Sequence, residues 1–111
     1  MGLDRTFEAM TLKEIAGTSI TTSYQALGSA LTEPLYVWSI FNSTNQTVYV
    51  SENGTDNHYK LLPGSSRTLD LQANKADQRI GAKPTGLQFY VKGILGNLPT
   101  VGDVYIEGQQ L

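Results

Sequence analysis

Few side chains in this 111-residue sequence carry the chemistry of catalysis, and their spacing assembles no reaction centre. The single histidine, His58, follows Asp56 and Asn57 just after an Asn53-Gly54 pair. A serine nucleophile on a strained elbow requires a G-x-S-x-G run, which is absent, so His58 has no nucleophile to activate. It reads as a hydrogen-bonded histidine at the start of a strand. Glu52, Asn53, Asp56 and Asn57 cluster as oxygen donors suited to calcium. The D-x-[DN]-x-[DN]-G order of a calcium loop is missing, however, and Asx side chains at a turn bond their own backbone. Asp103 and Glu107 are a carboxylate pair of the kind that hydrolyses glycosides. Such a pair must face itself across a cleft, for which a chain this short has little room. There is no cysteine, which removes disulfides, thiolate metal ligands and a thiol nucleophile. The expectation is a protein without catalytic residues, metal or cofactor.

Charge narrows the choice of partners. The net charge is −2, and the eight basic residues are scattered from Arg5 to Lys92 with no stripe among them. A protein that displaces counterions from phosphates carries such a stripe, so neither nucleic acid nor an anionic membrane is expected. No apolar run approaches the roughly 18 residues of a membrane span. Residues 1–17 have neither the basic nor the apolar region of a signal peptide, which suggests a soluble protein made in a cytoplasm. Without a secretory route, the N-x-S/T triplets at Asn42, Asn45 and Asn53 read as turn residues, not glycan acceptors.

The elements that position these residues are strands. Only 16% of the residues are charged, 40% are hydrophobic and 11 are glycine, a composition suited to a sandwich or barrel. Asp4 to Ala16 is the one segment with helical spacing, through Phe7, Met10 and Ile15, with Asp4 as a possible N-cap and Gly17 as a stop. An extended arm fits it equally well. From Thr18 onward the period is two. Thr18–Leu27 reads as a first strand or strand pair. Leu35–Asn42 follows Pro34, and Ser39 breaks one of its faces, so Trp38 and Ile40 point inward. Val48 and Val50 point in and Tyr49 out. Asn53-Gly54 and Pro63-Gly64 are turns. Leu69 and Leu71 point in, and Asn74–Pro84 is a polar connection long enough to cross between sheets. Leu87, Phe89 and Val91 face inward with Tyr90 outward, as do Val104 and Ile106 with Tyr105 outward. Seven or eight short strands make an all-β antiparallel sandwich of jelly-roll type over residues 18–111, preceded by an arm or short helix at 1–17.

Binding is then expected at the surface. Tyr49, Tyr90 and Tyr105 stand opposite the inward residues of their strands, and tyrosine combines a large apolar area with a polar tip. Phe7, Met10, Leu12 and Ile15 are too apolar for an idle tail yet stand apart from the strand pattern. These seven residues are the candidate interface.

The run from Pro34 to Leu71, PLYVWSIFNSTNQTVYVSENGTDNHYKLLPGSSRTLDL, resembles small virion proteins of tailed phages. It has an apolar strand, an N-S/T-N turn, V-x-V-S, a Gly turn with Asp, then L-P-x-x-S and L-D. Length and the Ser/Thr-rich start also resemble the capsid decoration, or staple, proteins of epsilon-15-like short-tailed phages. The resemblance covers about a third of the chain. It implies a β-sandwich on the outer capsid that clamps neighbouring major capsid proteins as a dimer across a two-fold axis, with no catalytic residue to transfer. A neck or tail component would share the same motif. A carbohydrate-binding module stacking sugars on Tyr36, Tyr49, Tyr90 or Tyr105 is the expectation from a different class.

Overall fold

The computed structural model describes residues 8–70 and 83–110. Its strands are β1 (Glu8–Ala9), β2 (Lys13–Ala16), β3 (Gln25–Ala26), β4 (Leu35–Asn42), β5 (Val48–Ser51), β6 (Tyr59–Leu61), β7 (Ser66–Asp70), β8 (Tyr90–Lys92) and β9 (Asp103–Gln110). They form two antiparallel sheets packed face to face, the all-β sandwich expected. In the first, β9 lies between β4 and the successive short strands β1 and β2, while β7 pairs with the far side of β4. The second runs β3-β8-β5-β6. Apart from the β5–β6 hairpin and the step from β1 to β2, each connection carries the chain from one sheet to the other.

Alternation along the strands builds the core. Trp38, Ile40, Val104 and Ile106 from the first sheet meet Val48, Val50, Leu61 and Val91 from the second, with Phe89, Ile20, Leu27 and Leu31 from the connections. Trp38 is the anchor: its ring lies 5.2 Å from that of Phe89 and 5.9 Å, edge-on, from that of Tyr59. It pairs across the ladder with Gly108, where any Cβ would come within 3.0 Å of the Trp38 Cβ and 2.8 Å of the Val37 carbonyl oxygen. The absent side chain at Gly108 is what lets β9 approach β4 so closely.

Several expectations are corrected. Leu35 is buried, not outward, because the register slips at Tyr36: Leu35 faces Gln110 and Val37 faces Gln109. The resulting bulge turns Leu35 into the core and leaves Tyr36 half-buried. Thr18–Leu27 is neither one strand nor a pair of them. Gly17–Ser19 form a single 3-10 turn, and only Gln25–Ala26 pair, with β8. Between them the Thr21 hydroxyl accepts the Ser23 N–H, a local bond that competes with a ladder. Over its described length the N-terminal segment is extended and not helical, and β1 and β2 both hydrogen-bond along β9. Phe7, Leu71 and most of the connection Asn74–Pro84 lie outside the described residues. At the described end of that connection, Lys83 bridges to Leu35.

Candidate binding surfaces

Strand register decides which of the expected interface residues meet. Tyr49 and Tyr90 share the outer face of the second sheet. Tyr49 stands opposite Lys60 on β6 and Lys92 on β8, and Tyr90 opposite Ser51 and Ala26. Extending the β3–β8 register one residue back brings Tyr24 opposite Lys92, whose Nζ sits 4.9 Å from the Tyr24 ring centre. A row Lys60–Tyr49–Lys92–Tyr24 therefore crosses the whole sheet. The Tyr24 hydroxyl donates to the Asn57 side-chain oxygen, and burial, then the Asp56 carboxylate and Tyr49, raise its pKa. Neither Lys60 nor Lys92 has a carboxylate partner among the described residues, where the one ion pair is Lys83–Glu52 at 2.9 Å.

A stiff loop borders this face. Ser51 Oγ accepts the N–H groups of Asn53 and Gly54, and Asn53 Oδ1 accepts those of Thr55 and Asp56. Gly54, at φ 78°, lies against the Tyr90 ring, where a Cβ would come within 3.3 Å. His58 Nδ1 accepts the Glu52 N–H. Of the oxygens suited to calcium, that of Asn53 serves the loop's own backbone, Asp56 accepts the Asn53 amide, Asn57 accepts the Tyr24 hydroxyl and Glu52 accepts from Tyr59 and Lys83. Among the described residues no group of three or more metal-ligating side chains comes together.

Tyr105 does not join the other two tyrosines. It lies on β9, in the other sheet, stacked on Phe41 at 4.9 Å and 13°. Glu14, Asp103 and Glu107 occupy the same outer face by register, so this side is acidic where the second sheet is basic. The Asp103 carboxyl, in hydrogen-bonding reach of Glu14, raises the Glu14 pKa, with desolvation and charge repulsion adding to it.

The N-terminal candidates divide. Ile15 pairs with Val104 and packs on the core, as does Met10, whose N–H donates to the Gly108 carbonyl. Both are half-buried against the core, which accounts for their apolar character. Leu12 remains 47% exposed. Two shallow hollows flank this crossing, one of about 210 Å3 lined by Met10, Lys13 and Ser29, the other of about 320 Å3 lined by Met10, Leu12 and Gly108.

The largest exposed apolar side chains lie elsewhere. Leu62 is 56% exposed, Leu95 83% and Val101 59%. They sit on the β6–β7 and β8–β9 loops, at the end of the sandwich where β4 turns into β5. The buried side chain of Asn42 stitches this end together. Its Nδ2 donates to the carbonyls of Gln46 and Leu61, and its Oδ1 accepts the N–H and hydroxyl of Thr44. The Asn42 backbone exchanges bonds with Gly64 and Ser65, Ser43 N–H reaches the Asp103 carbonyl, and the Asn45 side chain both donates to and accepts from Thr100. Reading for aromatics overlooked these aliphatics. Their signal is an apolar residue directly before Pro63, Gly96 or Gly102, at a turn with no inward side.

At the opposite end, Glu52 joins the two sheets. It accepts from the Tyr59 hydroxyl at 2.6 Å and pairs with Lys83, while Arg67 lies over the Tyr59 ring at 5.1 Å. Burial, then the bond to Glu52, pushes the Tyr59 hydroxyl well above the ordinary tyrosine range. Each of these groups has its partner, so the cluster reads as a clasp over Trp38. No helix among the described residues is long and apolar enough to cross a membrane. Comparison with protein-family models, with curated proteins and with solved structures finds no match for the chain.

Proposed function

We propose that the chain is a non-catalytic structural protein of a tailed-phage virion, which binds the outer surface of the assembled capsid and stabilises it by clamping neighbouring major capsid proteins. The observation that carries this reading is the stitched loop end with Leu62, Leu95 and Val101 exposed. Aliphatic side chains held out on a rigid, hydrogen-bonded base form an apolar contact with a polar rim, the anatomy of a protein interface. Rigidity limits the entropy lost on docking. The sequence resemblance over Pro34–Leu71 supplies the virion context.

Such a protein acts by mass action. It binds the assembled shell and not free subunits, so its binding free energy adds to the stability of the shell. Each copy need contribute only a few kcal/mol, because many copies bridge subunits that must separate together. Self-association as a dimer across a two-fold axis belongs to the same proposal.

Particles depleted of the chain are expected to assemble at normal size but to release DNA at lower temperature. Adding purified chain back restores resistance and saturates at a fixed ratio to the major capsid protein. Depleted particles as robust as complete ones, or equal binding to unassembled subunits, overturn the reading.

A further inference from the structure

From the outer face of the second sheet we infer a separate binding site for an acidic polysaccharide, one with a carboxylate on alternate sugars, laid across the strands. The inference does not depend on docking to a shell, which uses the loop end. It starts from the row Lys60–Tyr49–Lys92–Tyr24, in which cation and aromatic ring alternate from one strand to the next. Neighbouring strands lie about 4.8 Å apart. That is close to the length of one pyranose ring in an extended glycan, so successive sugars would meet successive strands.

The chemistry alternates to match. A tyrosine ring offers a flat apolar surface to the C–H face of a sugar, a role that falls to Tyr49, since Lys92 lies over the Tyr24 ring. The ammonium groups of Lys60 and Lys92 lack carboxylate partners among the described residues, in a protein of net charge −2. Cations without a carboxylate partner, set beside half-buried rings, call for an anionic occupant, and their placement two strands apart calls for one whose charges fall on alternate units. Asn57, already oriented by the Tyr24 hydroxyl, closes one end of the row and leaves its amide N–H groups for sugar hydroxyls. A densely acidic peptide would satisfy the lysines but would leave the Tyr49 ring between them without a use.

The test is titration of the purified chain with a hyaluronan octasaccharide, whose glucuronate and N-acetylglucosamine alternate, followed by amide chemical shifts. A neutral chitin oligosaccharide and poly-L-glutamate run in parallel. The expected result is shifts confined to Tyr24, Tyr49, Asn57, Lys60, Tyr90 and Lys92, with binding that weakens as salt rises. Lys92→Gln and Tyr49→Ala should each weaken binding about fivefold, the scale of one exposed charge or ring contact. Lys92→Gln also removes the cation over the Tyr24 ring, so an unchanged urea midpoint is the control that its fold is intact. Glu107→Gln, on the opposite sheet, should leave binding unchanged. Equal binding of poly-L-glutamate overturns the saccharide assignment, equal binding of the chitin oligosaccharide overturns the role of the lysines, and no binding overturns the site.

Discussion

Replacing Asn42 with alanine should unpin the loop end while leaving both sheets intact. The side chain is buried and makes four hydrogen bonds, two donated and two accepted. Not all four partners are stranded when it goes. The Gln46 carbonyl keeps the Thr44 hydroxyl at 2.9 Å, and that hydroxyl keeps Gln46. The Leu61 carbonyl and the Thr44 N–H lose this partner outright. A buried polar group left unsatisfied costs about 1–3 kcal/mol, so two give about 2–6 kcal/mol, and about 4 kcal/mol is the expected value. That is a large fraction of the roughly 5–15 kcal/mol by which domains are stable. The assay is urea unfolding followed by Trp38 fluorescence: the midpoint should fall with the slope unchanged, since the surface exposed on unfolding is the same. A loss below about 1 kcal/mol would refute the reasoning, because the corner would then be held by its backbone bonds alone.

Other perturbations probe the rest of the account. Trp38→Ala should cost about 3–5 kcal/mol by urea unfolding, since it empties the space between Phe89 and Tyr59. Removing residues 1–16 should destabilise the domain and not merely weaken binding, because it strips β1 and β2 from β9 and uncovers its edge; an unchanged melting temperature would contradict the strand assignment. Glu14 binds its proton more tightly folded than unfolded, chiefly through the hydrogen bond its protonated carboxyl makes to Asp103, so that contribution to stability is lost as pH rises from the ordinary carboxylate value through the raised one. Glu14→Gln should therefore raise the melting temperature at neutral pH and lose that advantage in acid, where the wild-type carboxyl is protonated. A gain that persists in acid would refute the link.

Much of the sandwich is written locally in the sequence. The two-residue period of β4, β5 and β9 gives Trp38, Ile40, Val48, Val50, Val104 and Ile106 as core, and all are buried. Asn53-Gly54 and Pro63-Gly64 mark turns in which both glycines take positive φ, 78° and 76°. What was not legible depends on partners far along the chain. Nothing near Lys13–Ala16 announces that its neighbour is Asp103–Ile106, so Met10 and Ile15 resembled free apolar groups. The bulge at Tyr36 lies in the register between β4 and β9, again a pairing with distant residues. The cation–aromatic row needs three registers at once before Lys60, Tyr49, Lys92 and Tyr24 align. Of the candidate interface, Tyr49 and Tyr90 share a face and Tyr105 lies on the other sheet; alternation tells in from out but not which sheet.

The most direct test of the central claim is the density of the chain on virions that carry it, at a resolution that orients the sandwich. The account predicts that the end bearing Leu62, Leu95 and Val101 rests on the major capsid protein, with the second sheet's tyrosine–lysine face left open to solvent. A sandwich seated on that face, or virions in which the chain is absent, would contradict it.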